Sequence, residues 1–363
     1  KVQARLAELC GMASTFASLV MVLWAACMSN VGSTSDGNCT EENMLLQMEE
    51  RHHVSHMKAE KFCDEIPELC EPYMTVFKMT LNCSSVEQGK ETDFAKMIID
   101  KIEKVIEEEG KVKPKFDKES LKLLPGRYAE FLDTKQRSFR EAGWIVRHRW
   151  PQVGSGGDLS IKRRSQKDPK EHPEEAEKMV VKEGLGVRYK SKIQWIAAEV
   201  NPPTSNSYQL YSQFKDDDFE DVAKIVDFEK DKNTISTWAE VVPKLGEAGN
   251  GSMETSAHCL KILQEEVVLL DGKFTDKKGV KSKFEPAVIF WFDMNDPPPR
   301  KAFTGELTWE LKHDKYKQKE IDSSRKKLFN PLTVLLDEAG LLDAGAKTAK
   351  AYARMDFCKE SCD

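Results

Sequence analysis

The sequence predicts an α+β protein: an antiparallel β-sheet curled into a barrel, or tunnel, with helices packed on the outside. Three observations lead there. Strand-like stretches follow one another with only occasional helices, without the regular βαβ alternation of a parallel sheet. Within those strands charged and apolar residues alternate, so each strand has one ionic face and one apolar face. The stretch TDFAKMIIDKIEKVIEEE (92–109) carries Phe94, Met97, Ile98, Ile102 and Val105 at helical spacing, an amphipathic helix suited to covering a sheet.

Composition sets the outer bounds. The 363 residues are 32% charged and 40% hydrophobic, the balance of a soluble globular chain. A net charge of -6 gives no general attraction to nucleic acid or anionic lipid, and no nucleic-acid binding is expected. Any polyanion site must be a local concentration of Lys and Arg.

In chain order, Met12 is the expected translation start, and MASTFASLVMVLWAACMSNVGS resembles a secretory signal peptide cut between Ala26 and Gly32. Residues 1–32 are therefore expected to be a signal peptide, placing the protein outside the cell or in the secretory lumen. The competing reading is an uncleaved single-pass anchor, although the apolar run from Met12 to Met28 is short of the ~20 residues that span a bilayer. The sequons at Asn38, Asn82 and Asn250 agree with secretion as N-glycosylation sites. Of the nine cysteines, Cys10 and Cys27 would leave with a signal, and an odd number remain. Cys63 with Cys70 and Cys358 with Cys362 are candidate local disulfides, with connectivity left open.

Residues 33–70 form a Cys- and His-containing N-terminal segment, helical over 41–62. His52 and His56 share a helix face, but His53 occupies the place of the glutamate that zinc-protease chemistry needs, so a solvated polar face is favoured. The main domain is expected over 71–355, with a short Cys-containing tail at 356–363. EPYMTVFKMTLN (71–82) reads as its first strand. SQKDPKEHPEEAEK (165–178) reads as a charged loop, and GVRYKSKIQWIAAEV (186–200) as a strand. Residues 200–255 have no assigned role and are treated as a possible insertion. Within them 216–230 look helical and 234–242 are ambiguous. HCLKILQEEVVLLDGKF (258–274) and EPAVIFWFDM (285–294) read as a hairpin, followed by the strand FTGELTWELK (303–312). Residues 330–355 read as helical with an interruption at Gly340.

Strand parity sorts the charged side chains. Arg147 and Arg149 lie together, as do Lys162 and Arg164, and Lys190 with Lys192; Glu306 and Glu310 share a face opposite Leu307, Trp309 and Leu311. A half-exposed sheet would simply solvate these faces. A closed barrel would gather them around a cavity, where crowded cations need an anion. Several phosphates would meet that need, Arg through forked contacts and Lys through point charges. Glu306 and Glu310 could then hold a Mg²⁺ or Mn²⁺ that bridges phosphate oxygens.

The run FLDTKQRSFREAGWIVRHR resembles the YFDTPD-x-L-x-x-AG-x-x-LRVR pattern of the CYTH, or triphosphate tunnel metalloenzyme, superfamily. GDLSIKRR resembles the LTxK strand that follows it, FTGELTWELK the late acidic strand, and GAKTAKAYARM the terminal helix with a Lys-Thr pair. The resemblance implies a closed tunnel that binds triphosphate or polyphosphate compounds together with divalent metal. By position it makes Arg147, Arg149 and Lys162 phosphate binders and Glu310, with Glu306, metal ligands. The family's opening Glu-x-Glu-x-Lys strand is matched here by Met74-x-Val76-x-Lys78, which keeps the cation and loses both carboxylates. Two functions follow: metal-dependent phosphohydrolysis with Glu199, Glu265 or Glu266 as substitute acids, or polyanion binding without turnover. No catalytic residue is assigned.

Overall fold

The computed structural model describes residues 61–110, 113–119, 121–133, 138–154, 156–197, 204–226, 235–247, 262–270, 272–275 and 281–343, within one compact unit, Ala59–Asp363. The signal-like stretch, the three histidines at 52, 53 and 56, the sequons at Asn38 and Asn250, Glu199, the Cys358 and Cys362 pair and the Lys347-Thr348 pair lie outside those residues. Among the described residues no helix is long and apolar enough to cross a membrane.

The strands are β1 (Met74–Leu81), β2 (Lys113–Phe116), β3 (Lys122–Leu123), β4 (Arg127–Leu132), β5 (Trp144–Pro151), β6 (Asp158–Ser165) and β7 (Arg188–Ala197), followed by β8 (Thr204–Lys215), β9 (Leu263–Leu269), β10 (Gly272–Thr275), β11 (Lys281–Phe284), β12 (Ala287–Asp293) and β13 (Ala302–Lys312). The helices are α1 (Pro67–Cys70), α2 (Glu91–Gly110), α3 (Ser138–Glu141), α4 (Pro173–Glu177), α5 (Asp217–Ile225), α6 (Ile235–Ala239), α7 (Pro243–Gly246), α8 (Gln318–Ser324) and α9 (Asn330–Glu338), the last two joined by a π-helical turn at Arg325–Phe329.

Pairing runs β12-β13-β1-β7-β8-β6-β5-β4-β9, and β9 pairs again with β12, so nine strands close a barrel among the described residues. The expected α+β barrel is observed, with one difference. All barrel pairings are antiparallel except β1 with β7, which run parallel. A parallel pair needs a long connection, and here the chain makes the β4, β5 and β6 walls between the two strands. β3 pairs with the end of β9 beyond β4, and β2, β10 and β11 form a separate small sheet.

The strand alternation is obeyed. Outward residues of β1, β12 and β13, such as Phe77, Met79, Phe290, Leu307 and Trp309, pack under α2 and the α8–α9 segment in one apolar cluster. Phe77 stacks on Trp309 with ring centroids 5.1 Å apart. The predicted helix is α2, whose Phe94, Ile98, Ile102 and Val105 are buried and whose acidic first turn, Glu91 and Asp93, suits the helix dipole. A second cluster covers the outer faces of β5, β6 and β8 with Leu159, Ile161, Leu210 and Phe214 against the shorter helices. Gly305 lies against Cys83: a Cβ there would come within 2.4 Å of its sulfur, so only glycine fits.

Several readings are corrected. Residues 204–215 are no insertion but β8, a barrel wall between β6 and β7. Its alternation was hidden because its inward side chains are Ser, Gln and Tyr, with no charge to mark a face. The region 165–178 holds α4, opened by Pro173 at its first position, and the ambiguous 234–242 contains α6. β9 and β12 pair as predicted, with β10 and β11 interposed. Gly340 does end α9, with φ +67°. Cys63 and Cys70 are disulfide-bonded, while Cys83 is buried and free. Asn82 is exposed, as a glycan acceptor must be.

Candidate functional site

The inward faces enclose a cavity of about 270 Å³ that receives a side chain from every strand of the closed barrel. Arg127 comes from β4, Arg147 and Arg149 from β5, and Ser160 with Lys162 from β6; Tyr211 and Gln213 come from β8, and Lys190, Lys192 and Gln194 from β7. Val76 and Lys78 come from β1, Glu306, Thr308 and Glu310 from β13, Ile289 and Trp291 from β12, and Glu265 from β9. Seven cations therefore face three carboxylates in the lining. The cavity brings together Arg147, Arg149, Lys162, Lys190, Lys192, Glu306 and Glu310, which strand parity had sorted by face, with Lys78, which the family likeness had singled out. Arg164 is half-buried beside them, with Nη2 at 3.5 Å from Gln194 Oε1, although it does not line the cavity itself.

The motif around 131–149 has a local structural logic. Phe131 packs inside the barrel. Asp133 accepts hydrogen bonds from the N–H groups of Phe139 (2.9 Å) and Arg140 (3.1 Å), so it satisfies the free donors that open α3. Gly143, at φ +80°, makes the left-handed turn that sends the chain from α3 into β5. That turn sets the phase of β5 and therefore points Arg147 and Arg149 inward. Thr134 to Gln136 lie outside the described residues.

The cations differ in how far they are already engaged. Arg149 holds Asp158 through a fork, Nη2–Oδ2 2.8 Å and Nε–Oδ2 3.1 Å, and reaches Glu265 at 3.5 Å. Burial works against its charge, but Glu265 and Asp158 more than offset this and raise its pKa. Asp158 is correspondingly depressed to about 2: burial alone would raise it, and Arg149 and Arg147 outweigh burial. Glu265 also binds Arg127 at 3.0 Å, and it too is lowered against the burial penalty by Arg149, Arg147 and Arg127. Lys78 pairs with Glu306 at 3.0 Å and Lys192 with Glu310 at 3.0 Å. Lys192 lies over the rings of Tyr211 (5.5 Å) and Tyr73 (5.6 Å), and Lys162 lies over Tyr211 at 4.9 Å.

Arg147 is different. Among the described residues no carboxylate pairs with it, and its Nε–H is buried without a partner. Burial, then the neighbouring Arg149, push its pKa down to about 10. A guanidinium held this way remains charged near neutrality; Glu265 and Asp158 act on it from a distance, and it makes no direct ion pair among the described residues.

Sequence reasoning missed Arg127, Tyr73, Tyr211, Gln213 and Trp291. Arg127 was within reach, since it lies on the inward parity of the strand-like run that opens at 127; Tyr211 was not, because β8 carries no charge to mark a face. Of the substitute acids, Glu265 faces the cavity and Glu266 faces outward, where it accepts a hydrogen bond from Gln88. Glu306 and Glu310 do not make a metal site between them: four residues apart on an extended strand, each is met by its own lysine. Among the described residues no three His, Cys, Asp or Glu side chains gather as ligands. The positions where opening carboxylates would add donors are held by Met74 and Val76, which pair across β1 and β13 with Lys312 and Glu310 respectively.

Eight chains of solved structures match this one. One is a candidate adenylyl cyclase from Hippeastrum described as having a dominant triphosphatase activity; it matches 74% of this chain and 88% of its own at 11% identity, with a TM-score of 0.28. No protein-family model matches. No curated protein matches either.

Proposed function

We propose that the tunnel binds a compact polyanion of linked phosphates: a triphosphate, a polyphosphate or a small molecule that carries one. The observation that carries this reading is the charge imbalance of the lining, seven cations to three carboxylates, with every one of those carboxylates already bound to a cation. Arg147 at the centre of the excess has no anion of its own. Phosphate oxygens would supply it, through charge-assisted bonds in a site shielded from bulk water. The sequence likeness of 131–149 to the CYTH pattern supports the same ligand class. The cavity lies just below the ~300–1,000 Å³ of sites for drug-sized ligands, which favours a small inorganic oligophosphate.

Binding without turnover is the reading we favour over hydrolysis. Lys78 and Lys192 neutralise Glu306 and Glu310, and Val76 contributes no donor, so a Mg²⁺ or Mn²⁺ would enter as the ligand's counterion. The Cys63–Cys70 disulfide supports an oxidising compartment, in line with secretion.

Calorimetric titration of the protein with tripolyphosphate, with and without Mg²⁺ or Mn²⁺, tests the reading alongside a phosphate-release assay. Binding that is retained without metal and yields no phosphate is the expected result. Metal-dependent release lost in Glu310→Gln would establish the hydrolase instead, and no binding in either condition would end both readings.

A further inference from the structure

Among the described residues, one end of the cavity is packed with buried side chains. At the end where β5 and β9 begin and β4 and β12 finish, Ala129, Phe131, Ile145, Leu263 and Trp291 point inward and pack into a buried apolar cluster. The four remaining strands other than β6 reach the same end with small or apolar inward residues, Thr80, Ile196, Ser207 and Thr304, all buried. β6 brings Arg164 there, half-buried, with its Nε–H enclosed. The cavity lining stops at this layer, where Trp291 and Arg147 are its floor, whereas Arg127 and Glu310, at the opposite end, are partly exposed.

The floor also has unmet donors. Trp291 and Arg147 line the cavity, and the Trp291 Nε1–H and Arg147 Nε–H groups are buried without partners, as is the Nε–H of Arg164, whose Nη2 lies 3.5 Å from Gln194 Oε1. Buried N–H groups left without acceptors are costly. Three such donors around the closed end of a cationic cavity call for an acceptor-only group seated there.

We propose that the tunnel is blind and recognises the end of a phosphate chain, seating a terminal phosphate on Trp291, Arg147 and the charge of Arg164. This rests on the oligophosphate reading and narrows it. A terminal phosphate has one more ionisable oxygen than an internal one, so it best matches the cation-rich closed end. A ring of phosphates has no such group, and a long chain can enter only by an end.

The test uses the full chain and four probes: linear tripolyphosphate, cyclic trimetaphosphate, linear polyphosphate of about 100 units, and the same polymer with both ends blocked as phosphoramidates. Tripolyphosphate is expected to bind at one site, and trimetaphosphate about tenfold or more weakly, a difference of ~1.4 kcal/mol. The long polymer should bind in proportion to its ends, and end-blocking should weaken it by about the same factor. Trp291→Phe, which keeps an aromatic side chain and removes the N–H, should narrow the gap between tripolyphosphate and trimetaphosphate. Equal binding of the linear and cyclic trimers, or of free and blocked polymer, overturns the blind end while leaving the oligophosphate reading intact. Failure of tripolyphosphate to bind at all overturns both.

Discussion

On the β1–β13–β7 side of the tunnel each inward carboxylate is matched to a lysine, Lys78 to Glu306 and Lys192 to Glu310. On the β4–β5–β6 side, by contrast, arginines gather around Glu265 and Asp158, and Arg147 is left over. On the first wall Lys190 alone has no carboxylate partner among the described residues, and it donates to Gln213 Oε1 at 3.2 Å. The second is stable only to the extent that two acids hold several cations together, and it keeps the guanidinium groups of Arg147 and Arg164 for something the described residues do not supply. Buried charge on one wall is thus structural, and on the other it is a standing demand for an anion.

The largest effect that would sharpen this contrast is at Glu265. Replacing Glu265→Gln leaves Arg127 and Arg149 without their shared carboxylate in a site that is 3% exposed. Breaking one side of a buried ionic network costs about 3–5 kcal/mol, so denaturant unfolding should show a loss of that order. Tripolyphosphate should restore much of it, because the ligand replaces the missing negative charge. A variant as stable as the parent would mean that Glu265 does not hold the arginines.

Arg147→Met should act in the opposite sense on the two properties. It removes charge-assisted bonds to the ligand, each worth ~1.5–3 kcal/mol, so affinity for tripolyphosphate should fall roughly 100-fold by calorimetry. It also removes an unpaired buried charge, so unliganded stability should hold or rise. Lys78→Met is the control on the facing wall: it should lose stability, because Glu306 is stranded, and lose less affinity. Equal affinity losses at the two positions would erase the distinction between the walls.

Acid should dismantle the arginine wall first. The Asp158 carboxyl is depressed to about 2 in the folded protein against an ordinary value near 3.9, and Glu265 is depressed too. A depressed carboxyl contributes its stability fully above the unfolded pKa and loses it as pH falls through the folded one. Asp158 alone should therefore contribute roughly 2 kcal/mol above about pH 4, lost between about pH 4 and 2. Unfolding measured across that window should be flatter in Asp158→Asn; an unchanged slope would show that the fork to Arg149 does not operate.

Much of this was legible in the sequence, and what was not has a physical reason. Charged residues at alternate positions revealed the inward faces of β5, β6, β7 and β13, because a charge in a strand cannot share a face with the core. β8 escaped notice because Gln209, Tyr211 and Gln213 are neutral and alternate with residues as polar as Ser212. The ion pairs were beyond reach: Lys78 and Glu306 are brought together by the β1–β13 register, which depends on pairing across the chain. So was the closed end, since Phe131, Ile145, Leu263 and Trp291 each look like ordinary strand apolars until the barrel closes.

The smallest effect, and the one that bears most directly on metal, is expected at Glu310. Its side chain is 46% exposed, so its pair with Lys192 adds at most ~1 kcal/mol and Glu310→Gln should unfold nearly like the parent. The substitution nevertheless frees the Lys192 ammonium, which is held near Tyr73 and Tyr211, to meet phosphate. Metal-free affinity for tripolyphosphate should then rise a few-fold, about 0.5–1 kcal/mol. If Glu310 instead serves a metal bound with the ligand, the same change should weaken binding in Mg²⁺ and leave metal-free binding alone. Titrations of the one variant in both conditions therefore separate a lysine's partner from a metal's ligand, because the two roles predict affinity changes of opposite sign.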